Sequence, residues 1–247
     1  MKSKPLGHKS YGSIPHLPGS RAGPGDHHCS EGQYRIATKR ARDKWDVVIV
    51  QEKLDGSNVA CAKINGVIVP LVRAGYNAET SPYEQHHLFA RWVLHPERYE
   101  RFDALLSEGE RVCGEWLAQA HGTRYELLHE PFVPFDIMRG IERLPFPDFK
   151  ARILSCGFVC PNTIWEGGPL SVEEAMSRLQ VSGHGAIDPV EGAVWRVERY
   201  ELVDKQKGGE RRRVVDFLAK YVRPDKVDGL YLPECSGGAP VWNWYPK

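Results

Sequence analysis

Past residue 45 the apolar positions fall into strand-like runs. Trp45–Gln51 is a β-branched run and reads as a strand. Two further runs, Asn58–Ile64 and Val67–Val72, bracket Asn65-Gly66. That dipeptide between such runs predicts a hairpin, because both turn residues must take positive φ. The period then becomes helical. Over Pro96–Gly109 it sets Tyr99, Phe102, Leu105 and Leu106 on one face, with Pro96 suited to a first turn. Arg111–Ala118 and Pro131–Met138 read as short buried strands. Ser171–Leu179 opens with a capping box, Ser171 and Glu174, and carries an apolar face of Val172, Ala175, Met176 and Leu179. Gly192–Val203 and Arg211–Val222 read as late strands flanking a charged loop at 204–212.

Residues 1–30 follow neither period. Ile14–Cys29 contains three prolines and three glycines, which predicts an ordered or semi-ordered arm rather than a helix. Hairpins with helices inserted between them predict an α+β domain built on antiparallel sheets. The expected organisation is a single domain: an arm (1–44), a core (45–225) and a tail (226–247).

Composition narrows the class. With 247 residues, 41% hydrophobic and 26% charged, the chain is no disordered polymer. A net charge of +1 speaks neither for nor against nucleic acid, since partners respond to local patches. No apolar run is long enough for a membrane span, and the basic, Gly/Pro/His-rich start is not a secretory signal. Cysteines 29, 61, 113, 156, 160 and 235 are scattered, which predicts a reduced, cytoplasmic protein. His27-His28-Cys29 lacks the second ligand pair of a zinc finger.

The chemistry concentrates at Glu52-Lys53-Leu54-Asp55-Gly56-Ser57-Asn58. A lysine at a strand end, followed by a turn glycine, can project its amine into a cleft. Gly56 permits a tight turn and close approach of a ligand. A nucleophilic lysine must shed its proton, which nearby positive charge or desolvation favours. Taken alone, Lys-x-Asp-Gly reads equally well as a solvated surface hairpin. Five further segments follow in order: Arg73 in LVRAG, Gly114-Glu115 in VCGEW, Phe135-Asp136 in PFDIM, Glu191–Arg196 in EGAVWR, and Lys220 in FLAKYVR.

This ordered set resembles the covalent nucleotidyltransferases, which comprise ATP-dependent DNA ligases, RNA ligases and mRNA capping enzymes. Asn58, where DNA ligases and capping enzymes carry Arg, and Glu52 before the lysine look like the RNA ligases of phage and RNA-editing type. The resemblance covers roughly residues 45–225. It implies a nucleotidyltransferase (ligase adenylation) domain of antiparallel sheets flanked by helices. It also implies an ATP-dependent enzyme using magnesium or manganese. Lys53 would carry AMP, which passes to a 5′-phosphate end and is displaced when a 3′-hydroxyl seals the strand. Glu52 and Asn58 would lie at the nucleotide, Arg73 would hold a phosphate, Glu115 would accept from the ribose, Phe135 would stack on adenine, Lys220 would hold the α-phosphate, and Glu191 would contact the metal.

The last motif departs from the family. Leu218 stands where a first lysine is usual, so Arg223 is expected to supply the missing charge. Many relatives carry a further C-terminal domain, which this chain is expected to lack. Grip on nucleic acid, RNA in the first instance, would then fall to the core, the arm or a protein partner. In the arm, Gly19-Ser20-Arg21 offers amides, a hydroxyl and a guanidinium to phosphate. Two basic clusters, Arg35–Lys44 and Lys205–Arg213, are candidate phosphate contacts. Trp242, Trp244 and Tyr245 are expected to pin the tail to the core. A DNA ligase or other polynucleotide adenylyltransferase remains open, as does a non-catalytic nucleic-acid-binding module.

Overall fold

The computed structural model describes residues 4–202 and 209–246. Most of the expected charged loop, with Lys205 and Lys207, lies outside the described residues. In chain order the elements begin with α1 (Glu31–Thr38), β1 (Asp46–Lys53), β2 (Ser57–Ile64), β3 (Val67–Val72), α2 (Glu84–Leu94), α3 (Pro96–Leu105) and β4 (Glu110–Trp116). They continue with β5 (Phe132–Arg139), β6 (Glu142–Arg143), α4 (Phe146–Ser155), β7 (Thr163–Gly167), α5 (Val172–Arg178), β8 (Gly192–Leu202), β9 (Arg211–Val222) and α6 (Pro233–Ser236).

The named strands form two sheets, ordered β7-β1-β8-β9 and β3-β2-β4-β5-β6, and every pairing between them is antiparallel. Asn65 and Gly66 take φ of 52° and 74°, as the hairpin turn requires. The decisive crossing is Leu54-Asp55-Gly56, where the chain leaves one sheet and enters the other. Lys53 is therefore the last residue of β1, at the seam between sheets.

Helices α2, α3 and α4 bury Phe89, Trp92, Phe102 and Phe149 with Trp116 of β4 and Phe132 of β5. On the other sheet, α1 and α5 cover Val48, Val50, Trp195 and Val197 with Ala37 and Ala175. Alternation along β1 thus sends Val48 and Val50 to one face, and leaves Gln51 and Lys53 for the other.

Helices α1, α2, α4 and α6 and strands β6 and β7 escaped the sequence pattern. Helices α2 and α4 have no side-chain cap, and β7 is half-buried rather than alternating. Helix α1 did have one: Ser30 accepts from the Gln33 amide while the Gln33 side chain returns to the Ser30 amide. At α5 only half of the expected box forms. Ser171 accepts from the Glu174 amide at 3.1 Å, but the Glu174 carboxylate turns to Arg178, 2.5 Å away.

Buried charge ties the sheets together. Asp136 of β5 accepts from Tyr11 Oη at 2.6 Å, Arg143 Nε at 3.0 Å and Arg196 of β8 at 2.6 Å. Arg196 also donates to Glu198 at 2.5 Å. Removing one member strands the others without compensation. Asp136→Ala should cost about 3–5 kcal/mol of unfolding free energy, read by urea denaturation.

Candidate active site

The inward face of the β7-β1-β8-β9 sheet supplies one wall of a cavity of about 810 Å³. Register dictates which side chains reach it. Gln51 pairs with Val194 and Val194 with Lys220, while Ile49 pairs with Arg196 and Arg196 with Leu218. Directly opposed residues share a face, so Gln51, Lys53, Val194, Arg196, Leu218 and Lys220 all line the cavity. The second sheet faces them with Asn58 and Glu115, which oppose each other across β2 and β4.

Phe135 reaches the cavity by an irregularity. Cys113 pairs with Asp136 and Gly114 with Pro134, leaving Phe135 as the extra residue of a bulge. A bulge re-aims a side chain without ending the strand. Phe135 lines the cavity, its ring 5.0 Å from that of Tyr11 in an edge-on contact.

Gly56 answers a different demand from the one its motif suggests. Its backbone runs so close to β4 that a Cβ would strike the Trp116 carbonyl. The close approach is by protein, and it lets the Gly56 amide donate to Glu115 Oε1 at 3.0 Å. Gly192 is confined likewise by the Tyr221 carbonyl, which keeps β8 and β9 tight beside Glu191.

Electrostatics centre on Lys53. Its Nζ lies 2.5 Å from Glu191 Oε2, and its side chain is 21% exposed. Burial pulls the ammonium pKa down, but Glu191, Glu115 and Asp55 outweigh burial and hold it above the ordinary lysine range. Burial pushes Glu191 up against the pull of Lys53. Glu115 is pushed to about 7, chiefly by burial, with Lys53 opposing. Burial would raise Asp55 too, but Lys226, 2.7 Å away, brings it below the usual range. Lys220 is lowered by burial and by the nearby Lys53 charge. Asn58 presents a buried Oδ1 with no hydrogen-bond partner, an acceptor awaiting a donor.

The expected site residues divide as follows. Lys53, Asn58, Arg73, Glu115, Phe135 and Lys220 share the cavity. Glu191 sits behind Lys53 rather than in the lining. Glu52 lies along the cavity, but its carboxylate is committed elsewhere: it accepts from Ser182 Oγ at 2.5 Å and the Gly183 amide at 2.8 Å. Alternation along β1 turns it from the face Lys53 occupies.

Arg21 and Arg223 do not join the lining. Arg21 pairs with Asp228 at 2.5 Å. Arg223 donates to the Val190 carbonyl and to Asp225, because an odd offset from Lys220 sends it to the opposite face. The basic clusters are partly neutralised: Arg42 pairs with Asp46 and Asp216, and Arg213 with Glu198 and Glu166.

Sequence reading missed Tyr11, Tyr83, His86 and His121, which also line the cavity. No motif or spacing marks them. His86 is held at about 4 by burial and so is neutral at physiological pH. The tail also contributes, since Lys226 neutralises Asp55. Trp242 and Trp244 do pack on the core, and Asn243 Nδ2 donates to the Leu117 carbonyl at 2.8 Å. Among the described residues no group of three or more metal-binding side chains converges. No helix is long and apolar enough to cross a membrane among the described residues.

A profile of the RNA ligase family matches residues 46–222. No curated protein matches the chain by sequence. Among solved structures, a lysine-to-alanine variant of a Naegleria gruberi RNA ligase with ATP and manganese aligns at 15% identity and TM-score 0.52, over 90% of this chain and 61% of that one. A lysine-to-methionine variant with AMP and manganese aligns at 14% identity and TM-score 0.50, over 87% and 60%. An archaeal ATP-dependent RNA ligase aligns at 19% identity and TM-score 0.45, over 72% and 42%. The chain thus spans 42–61% of the length of these solved proteins.

Glu115 makes stability depend on pH with a definite sign. A carboxyl held at about 7, against 4.5 ordinarily, binds its proton more tightly folded than unfolded. Its contribution is full below the ordinary value and lost as pH rises through about 7. Every tenfold gain in proton affinity on folding is worth about 1.4 kcal/mol. Glu115→Gln should therefore gain on the parent protein between those limits, in urea denaturation followed across pH.

Proposed function

Because this chain belongs to the RNA ligase family, with residues 46–222 matched, we propose that it is an ATP-dependent RNA ligase working through a lysyl-AMP intermediate. The observation that carries the reading is the convergence of Lys53, Lys220, Arg73, Glu115, Asn58 and Phe135 on one cavity.

ATP enters with adenine against Phe135 and its phosphates toward Lys220 and Arg73. Asn58 Oδ1 offers the buried acceptor that an amino or hydroxyl group would satisfy. Lys53 must lose its proton before it attacks, and the acceptor within reach is Glu191 Oε2 at 2.5 Å. The free amine then forms an N–P bond to the α-phosphorus while the bond to the β-phosphate oxygen breaks and pyrophosphate leaves. Lys220, half-buried and cationic, balances charge on the phosphoryl oxygens; such positioning and neutralisation dominate phosphoryl transfer. A 5′-phosphate oxygen next displaces Lys53 from the AMP phosphorus. Attack of a 3′-hydroxyl on that 5′-phosphate releases AMP and closes the strand.

A magnesium or manganese ion, when bound, supplies further positive charge at the phosphates. Magnesium is usually held by one or two carboxylates together with substrate phosphates. Glu191 and Glu115 fit that role. The remaining partners are RNA ends bearing 5′-phosphate and 3′-hydroxyl groups.

Incubation with α-labelled ATP and magnesium should leave label on the denatured protein, stable to alkali and released by acid. Lys53→Arg should carry none. Persistent labelling of that variant, or no label on the parent, overturns the reading. Phe135→Ala should weaken ATP binding by about 1–3 kcal/mol in calorimetry, the worth of a base–aromatic stack. Faster sealing of nicked DNA than of nicked RNA would move the assignment to a DNA ligase.

A further inference from the structure

The last motif lacks its usual first lysine, and the side chains around Lys220 come from an unexpected quarter. The segment at Pro15–Leu17 lies along β9 in parallel. The Lys220 amide donates to the Pro15 carbonyl at 2.9 Å, and the Leu17 amide donates to the Lys220 carbonyl at 2.8 Å. Lys220 is thus gripped on both sides of its own peptide unit by the arm. On its other side, His16 bridges to the stretch at His27–Cys29: its amide donates to the His27 carbonyl at 2.8 Å, and the Cys29 amide donates to its carbonyl at 2.9 Å. The intervening residues form a closed loop that returns Asp26 beside Lys220.

Asp26 is well anchored. Its Oδ2 accepts from the Gly23 amide at 3.0 Å. The same oxygen lies 3.1 Å from Nε2 of the buried His16, bent out of line for a full hydrogen bond. On its other edge, His16 Nδ1 lies 2.7 Å from Ser20 Oγ, which also accepts from the Val222 amide at 2.9 Å. The remaining oxygen, Oδ1, faces Lys220 Nζ at 3.8 Å.

We infer that Asp26, held by the Gly23 amide, is a positioning residue that orients the Lys220 ammonium and keeps it charged for the α-phosphate of ATP. The inference rests on the nucleotide-transfer reading for its consequence, but the contact itself does not. The charged or titratable groups whose fields reach Lys220 are Asp26, Lys53, Glu191, Arg73 and the neighbouring His16. Burial and the two cations work to strip its proton, while Asp26 and Glu191 work to retain it. A lysine that loses its charge in alkali no longer neutralises a phosphate, so loss of Asp26 should draw that failure to lower pH. This also gives the arm a function that Gly19-Ser20-Arg21 was expected to supply, by a carboxylate acting through Lys220.

Two measurements test it on the full chain. In the first, Lys220 is followed by its 13Cε shift against pH in 13C-lysine protein, assigned with Lys220→Arg. Asp26→Asn should move the titration midpoint down, and Asp26→Glu should leave it near that of the parent protein. An unmoved midpoint in Asp26→Asn overturns the inference whether or not the protein transfers AMP. In the second, the rate of labelling by α-labelled ATP is measured against pH. Asp26→Asn should slow labelling by up to about a hundredfold, the scale of a reacting group misplaced by about 1 Å. It should also shift the alkaline limb to lower pH, with both effects restored in Asp26→Glu. A uniform loss at every pH, with the limb unmoved, would mark Asp26 as merely structural and overturn the inference. A parent protein that takes no label while its Lys220 midpoint depends on Asp26 would refute the ligase reading and leave the arm–lysine coupling standing.

Discussion

The contact between Lys53 and Glu191 governs the site. An ammonium brought into a low-dielectric seam either loses its proton or finds carboxylates, because an unpaired buried charge costs too much. Here Glu191, Glu115 and Asp55 surround it, and the proton stays. Lys53 is therefore held as an ammonium by the carboxylates around it.

The pairing is possible only because of where the chain changes sheets. β1 ends at Lys53 and β2 begins at Ser57, so three residues carry the chain between the two walls of the cavity. Gly56 allows the crossing to press against β4, and Gly192 allows β8 to bring Glu191 up beside β9. The ionic link from Asp136 to Arg196 closes the same two sheets from within. The cavity's geometry and fold stability thus share a seam, with Asp136 and Phe135 as neighbours on one bulged strand.

Residues outside the ordered motifs sustain those within them. Lys226, from the tail, neutralises Asp55 of the Lys-x-Asp-Gly segment. Tyr11, from the arm, packs on Phe135 and donates to Asp136. The arm also lies along β9 where Lys220 projects. The ends of the described chain therefore act as struts for particular side chains.

The β runs, the Asn65-Gly66 hairpin, the α3 and α5 faces, the α+β class and the order of motifs from Lys53 to Lys220 were legible in the order of residues alone. Each of these is set by local physics: alternation, positive φ in a turn, helical spacing, or a run of residue types within a few positions. Tertiary structure alone decided which motif side chains meet. Register across β1, β8 and β9 gathered Lys53 and Lys220 on one face and turned the Glu52 carboxylate and Arg223 away. A bulge, invisible in residue spacing, delivered Phe135 to the cavity. The partnerships of Lys226 with Asp55 and of Asp26 with Lys220 span about 170 and 194 residues of chain. No periodicity reaches across such separations; only the packing of strands brings those charges within range of each other.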